Sequence, residues 1–287
     1  MHPFLFDSLI TFEIKPINMK QLAFLSLGAI VLFSCSRSTN TEDNSGVDET
    51  GEYVEYNNPP AEGFNQEGSD LLATLLADKV MNAMGGRKAW DETRFISWTF
   101  FGRRNHVWDK QTGDVRIEDP SKELVILMNI NSMEGKVQLA GEEFANADSV
   151  SKYLDSGKRM WINDSYWLVM PFKLKDSGVT LYYIGEDTTM AGTKADVIRL
   201  TFEDVGVTPE NFYNIWVDFD SKLVTQWAYY PSIENSEPSF TTSWSNYKKY
   251  GNILLGDERG DKPAISNIQV LEAVPEDTFT SFQLPPQ

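Results

Sequence analysis

The chain has 287 residues, of which 41% are hydrophobic and 13% aromatic, and 25 Lys+Arg stand against 42 Asp+Glu for a formal net charge of −17. Enough apolar material is present for a sizeable core without several membrane spans, while a surface this acidic repels phosphate backbones and excludes nucleic acid as a partner. The single cysteine, Cys35, excludes an internal disulfide, a CxxC redox pair and a multi-cysteine zinc site.

In chain order, residues 1–18 read as an extension ahead of the working start at Met19-Lys20. Lys20 is followed by an apolar run over 22–33 and then by Ser34 and Cys35, the order of a secretory signal with a small residue before the cut. The run is too short for a comfortable membrane span. Leu32-Phe33-Ser34-Cys35 resembles a lipobox, in which cleavage exposes the cysteine for diacylglyceryl attachment. Residues 19–34 are then a lipoprotein signal peptide and Cys35 is the lipidation site. An ordinary signal peptide with an incidental cysteine is the alternative. With each buried methylene worth roughly 0.8 kcal/mol, two or three acyl chains hold a protein on a bilayer, so the membrane is an expected partner through Cys35.

Residues 35–68 are polar and acidic with Asn57-Asn58-Pro59-Pro60, and they read as a disordered tether spanning on the order of 30 Å. Ser36-Arg37-Ser38-Thr39-Asn40 lacks an early acidic cluster, which favours an outer-membrane protein of the cell envelope that faces the periplasm. Residues 69–287 form one domain. Its helix starts at Ser69-Asp70, carries Leu71, Leu72, Leu75, Leu76, Val80, Met81 and Met84 at spacings of three and four, and closes at Gly85-Gly86.

Beyond Trp90 the pattern turns to short β-rich runs: 95–101, 105–109, 115–118, 124–130, 136–139, 159–163, 179–184, 195–203, 212–218, 223–230, 240–247 and 265–271. Gln111-Thr112-Gly113-Asp114 and Asp218-Phe219-Asp220-Ser221 carry hairpin chemistry, so the sheet is mainly antiparallel. Several strands are apolar on both faces. Ile96, Trp98 and Phe100 alternate with Phe95 and Phe101, and Phe212 and Trp216 oppose Ile215 and Val217. A curved sheet holding a helix or a lipid-sized hollow explains that pattern, and so does a solidly filled sandwich.

No catalytic constellation emerges. His106 is the only imidazole outside the extension, and no GxSxG elbow accompanies it, so it reads as a surface or cavity-lining residue. Asp218 and Asp220 read as turn formers, and Glu142-Glu143 and Glu203-Asp204 as a solvated face, not as metal or acid/base pairs. No metal and no cofactor is expected. Arg103 or Arg104 is placed on the cavity side, because a rigid guanidinium fork inside a half-open sheet can hold carbonyls or a lid segment. The run 166–174 is nearly continuous in apolar residues but broken by Pro171, which suits a short lid helix or capping loop. There Trp167, Met170 and Phe172 would offer adaptable surface to an acyl chain.

Met84-Gly85-Gly86 with Ala89-Trp90, Trp108-Asp109 through Gly113 to Arg116, the 166–174 run, and Trp216-Val217-Asp218 leading to Val224 and Trp227 resemble a family of bacterial lipoproteins related to the periplasmic lipoprotein carriers and outer-membrane lipoprotein receptors. The resemblance covers roughly residues 70–275. It implies a mainly β, α+β fold: a curved antiparallel sheet forming an incomplete barrel around an N-terminal helix and a short lid. It also implies a non-enzymatic role in binding lipid, lipoprotein acyl chains or another apolar ligand, with Trp98, Phe100, Arg103, Arg104, Trp167, Met170 and Phe172 as the ligand-binding set. An interaction or structural module of an envelope complex, using exposed aromatics such as Tyr229 and Tyr230, is the second reading. The sequence leaves the oligomeric state open.

Overall fold

The computed structural model describes residues 57–203 and 210–283, and the backbone alone of the short antiparallel pair β1 (Ser45–Val47) and β2 (Tyr53–Glu55). The expected extension (1–18), the expected signal peptide (19–34) and Cys35 lie outside the described residues.

Two antiparallel sheets make the wall. The larger is seven-stranded, built from β3 (Phe95–Phe100), β4 (Arg104–Asp109), β5 (Asp114–Asp119), β6 (Leu124–Asn129), β7 (Gly135–Leu139) and β8 (Glu142–Glu143), with β16 (Ser266–Leu271) added beside β3. The smaller runs β9 (Val179–Thr188), β10 (Lys194–Phe202), β11 (Phe212–Asp218), β12 (Val224–Tyr230) and β13 (Phe240–Ser243) in simple up-and-down order. A hairpin of β14 (Ser245–Tyr250) and β15 (Ile253–Glu258) stands between them. Tyr247 Oη donates to the Val224 carbonyl at 2.8 Å on one side, and Ile265 N donates to the Asp257 carbonyl at 2.9 Å on the other. Among the described residues the wall does not close, and the fold is the incomplete antiparallel barrel expected from the sequence.

Both predicted hairpin turns form, each organised by an aspartate. Asp109 Oδ1 accepts the backbone N–H groups of Gln111 and Thr112, and Asp218 Oδ1 those of Asp220 and Ser221. The two apolar faces are real as well. Ile215, Val217 and Trp227 join the main core, while Ala195, Val197, Phe212, Trp216, Ala228 and Tyr230 form a second cluster on the opposite face of the smaller sheet. Tyr230 therefore stacks on Phe212 with centroids 4.2 Å apart and is only 9% exposed, which corrects its reading as an exposed aromatic.

Helix α1 (Leu71–Ala83) begins where expected but presents a different face. Ala73, Leu76, Ala77, Val80, Met81 and Met84 are buried, whereas Leu71 is 73% and Leu72 47% exposed. Asp70 sets the rotation: its N–H bonds the Leu181 carbonyl at 2.9 Å and its Oδ2 accepts the Tyr183 N–H at 2.8 Å, pinning the helix start to β9. The body also begins earlier than the assigned tether allows. Asn58 and Phe64 are buried, and Ala61 and Asn65 donate to the Lys175 and Val179 carbonyls.

The largest correction concerns 159–163, which is not a strand but part of α3 (Ala147–Val169), a 23-residue helix. Asn146 caps it by accepting the Ser149 N–H at 2.9 Å, and Asp148 sits in the first turn. Its buried stripe runs Leu154, Gly157, Asp164, Ser165, Leu168. Three polar or small members at core positions, Gly157, Asp164 and Ser165, hide the helical period from a hydrophobicity count. Gly157 is small because a Cβ there would lie 3.0 Å from Met128 Sδ and 3.2 Å from Ile126, so the helix backbone rests directly on β6. Pro171 then opens a 3-10 turn over Met170–Lys173, so the proposed lid is the end of a long core helix and the turn that follows it.

α1 meets α2 (Gly86–Glu92) at a tight corner against the hairpin. Gly85 adopts φ +114°, a Cβ there would lie 2.3 Å from the Asn252 carbonyl, and Leu254 N bonds the Met84 carbonyl at 2.9 Å. Gly85→Ala should lower stability by on the order of 3 kcal/mol, read as a shifted urea midpoint at unchanged slope.

Candidate functional site

α3 lies along the inner side of the larger sheet and is locked there by Asp164, which is fully buried. Arg104 grips it through two bonds, Nε to Oδ2 at 2.7 Å and Nη2 to Oδ1 at 2.8 Å. His106 Nε2 approaches Oδ2 at 2.7 Å, and the imidazole stacks on Trp98 with centroids 4.6 Å apart. Burial alone would raise the Asp164 carboxyl, but the hydrogen bonds from Arg104 and His106 outweigh it and hold the group below the usual range. Burial also depresses the His106 imidazole, outweighing the pull of Asp164, so the ring is neutral and its Nε2 proton faces the carboxylate. Nδ1 is buried without a partner, so no hydroxyl is aligned with it as a nucleophile.

Two further arginines perform the carbonyl-holding role expected of Arg103 or Arg104. Arg259, fully buried, donates to the carbonyls of Glu258 and of Trp167 near the end of α3, and lies 3.6 Å over the Trp244 ring. Burial lowers it to about 9, so it stays charged at neutral pH. On the outer face of the larger sheet, Arg116 binds the C-terminal segment through the carbonyls of Thr278 at 3.2 Å, Ser281 at 2.6 Å and Phe282 at 2.8 Å.

With α3 held at Asp164 and at Trp167, its last turns deliver two rings onto the inner face of the smaller sheet. There Phe202, Tyr213, Tyr229 and Phe240, one from each of β10 to β13, form a row with successive centroids 5.7, 5.3 and 5.5 Å apart. Tyr166 meets this row at Tyr213 (5.5 Å), and Trp167 at Phe240 (5.5 Å), with Trp227 4.6 Å from Trp167 beneath them. All four ladder rings and both helix rings are half-buried. The hydroxyl of Tyr166 and the indole N–H of Trp227 are buried with no acceptor. A half-open aromatic shelf with orphaned donors is a surface suited to an apolar ligand bearing a polar acceptor. Among the described residues, no three His, Cys, Asp or Glu side chains gather as a metal site.

The ligand-binding set expected from the sequence is divided by the fold. Trp167 lies on the shelf, and Phe100 touches it from behind at 6.4 Å while stacking on Phe101 at 4.2 Å. Trp98 is buried against His106, Met170 is buried in the core, and Phe172 stacks on Trp90 at 4.3 Å. Arg104 points inward to Asp164, whereas Arg103 is exposed in the turn before β4. His106, read as a surface or cavity-lining residue, is a buried partner of α3 and is among the residues lining a cavity of about 370 Å³ beside Asn105 and Arg116. Phe202, Tyr213 and Phe240 escaped selection; their signal is that each sits on the same face of neighbouring strands, which needs the register to be known.

No family model matches the chain, and no curated protein matches it significantly. Solved structures similar to it include a DUF1329 family protein from Desulfovibrio piger, at 12% identity and a TM-score of 0.39 over 72% of this chain and 96% of that one. A LolA superfamily protein from Nitrosomonas europaea is similar at 11% identity and a TM-score of 0.37 over 73% and 97% of the two chains.

Asp164→Ala strands a guanidinium in the interior and should cost about 3–5 kcal/mol in urea melts. The His106 pKa is lowered on folding, so its contribution is present above its unfolded value near 6.5 and is lost as pH falls below it. Stability measured from about pH 8 to about pH 5 should decline, and His106→Gln should flatten that decline.

Proposed function

We propose that this chain is a non-enzymatic, lipid-anchored protein of the cell envelope that binds a lipid, an acyl chain or another apolar ligand on the aromatic shelf. The observation that carries the reading is the half-buried four-ring row across β10 to β13, which faces the rings of Trp167 and of Tyr166 with its unpaired phenol. Burial raises the Tyr166 hydroxyl far above its ordinary range, so it remains a neutral donor, able to bond an ester carbonyl or carboxylate without charging itself. Apolar contact with such rings contributes near 25 cal/mol per Å² removed from water, so few polar groups are needed. Anchorage follows from the signal pattern and Cys35, with the periplasmic side of the outer membrane as the proposed location.

A fluorescent fatty acid titrated against protein purified without detergent tests this directly. Binding should be saturable, quench the Trp167 and Trp227 emission, and weaken at least about tenfold in Tyr229→Asp, because a charge placed on the shelf loses hydration when the chain lands. Absence of uptake by the folded wild-type protein would sink the proposal.

A second reading, an interaction module, rests on a different surface. The Asp70 bonds to Leu181 and Tyr183 bring the exposed Leu71 and Leu72 beside the exposed Tyr182 and Ile184 of β9. Scattered apolar side chains are normal on a surface, and a contiguous group marks a contact. Crosslinking from a residue introduced at Leu72 should then recover one recurrent partner in stoichiometric yield, and Leu72→Glu should abolish it.

A further inference from the structure

On the side of α1 that faces residues 57 and 58, a small polar cavity shares no residue with the shelf. Its floor is a closed ion pair. Lys175 Nζ donates to Asp78 Oδ1 at 2.8 Å and to the Asn58 carbonyl at 2.7 Å, and Asn58 Nδ2 donates to the same Asp78 oxygen at 2.7 Å. Asn58 and Asp78 are 4% and 0% exposed, yet Asn58 Oδ1 and Asp78 Oδ2 receive no donor. A buried acceptor left unpaired costs about 1–3 kcal/mol, and native interiors tolerate few of them. Here two occur side by side.

Both residues line a cavity of about 220 Å³, bounded also by Met81, Asn82, Arg87 and Lys88. The rim is neutralised like the floor: Arg87 Nε binds Asp91 and Lys88 Nζ binds Glu92. Arg87 keeps the donors of its terminal nitrogens, Lys88 is mostly exposed, and Asn82 offers an amide. A charged ligand would find each charge of the site already paired and no countercharge left for its own. A hydroxyl would not, since it donates to the floor oxygens and accepts from the rim nitrogens. The volume is below the ~300–1,000 Å³ of drug-sized pockets, which sets the scale of the occupant. Met81 supplies an apolar patch for a C–H face.

We propose that this cavity binds a neutral polyhydroxy compound of monosaccharide size, whose hydroxyls donate to Asp78 Oδ2 and Asn58 Oδ1 and accept from Arg87, Lys88 and Asn82. Saturation-transfer NMR on the intact soluble domain, with methyl β-glucopyranoside, N-acetylglucosamine, glucosamine and glucuronate as probes, tests it. Ring protons of at least one neutral sugar should receive magnetisation. Asn82→Trp, made at an exposed rim position, should abolish the transfer at an unchanged melting temperature, and Asn58→Leu should weaken binding at least about tenfold. The proposal is overturned if no neutral sugar responds, if glucosamine or glucuronate binds in preference, or if transfer persists unaltered in Asn82→Trp. It is equally overturned by a sugar-soaked crystal that shows only ordered water at Asp78 Oδ2.

Discussion

A carboxylate in a closed interior must be answered by donors, and Asp164 is answered by a guanidinium fork and an imidazole on neighbouring positions of one strand. That contact decides where α3 lies. Sliding the helix by one turn, about 5.4 Å, would strand Asp164, Arg104 and His106 together, at the cost of a broken buried pair. Gly157 adds the shape requirement, because the backbone can touch β6 at that point. With the helix fixed along its length, the positions of Tyr166 and Trp167 over the smaller sheet follow, and with them the shelf.

The same chemistry recurs around the wall. In a chain of net charge −17, the few buried cations act as staples for segments that the sheets do not hold by their own ladders. Arg104 holds the C-terminal third of α3 at Asp164, Arg259 its end at Trp167, Arg116 the C-terminal segment and Lys175 the N-terminal one. Three of the four grip carbonyls; Lys175 and Arg116 also pair with Asp78 and Glu118, whereas Arg259 holds neutral carbonyls and gives up hydration without a full countercharge, a cost that its depression registers. Burial of this kind secures position more than it adds stability, and position is what a ring row assembled from four strands and a helix requires.

Local signals carried most of the strands. The runs 95–101 and 212–218 alternate in the way paired strands must, and the Asp-centred turns at 109–114 and 218–223 specify tight hairpins through their own side chains. Ile253–Glu258 carries no local strand signal because its Gly256 and acidic end weaken the β pattern, and a Cβ at Gly256 would crowd Trp244. The long helix was hidden for a related reason. Its contact face uses a glycine and an aspartate where a periodicity count expects large apolar residues, and 159–163 taken alone looks like a strand. On α1 the spacing places the leucines at 71 and 72 in the core, whereas the Asp70 anchor turns them outward.

The sequence by itself determined the class of the fold, the hairpin turns, the start of α1 and the acidic balance of the chain, since each depends on composition or on neighbours within a few residues. Only the tertiary structure decided which rings share a face, which arginine meets a carboxylate and which meets carbonyls, and where two buried oxygens go unanswered. Those outcomes depend on strand register and helix placement. They join residues such as Arg104 with Asp164, Arg259 with Trp167 and Asn58 with Asp78, and no local pattern in the chain records such pairings.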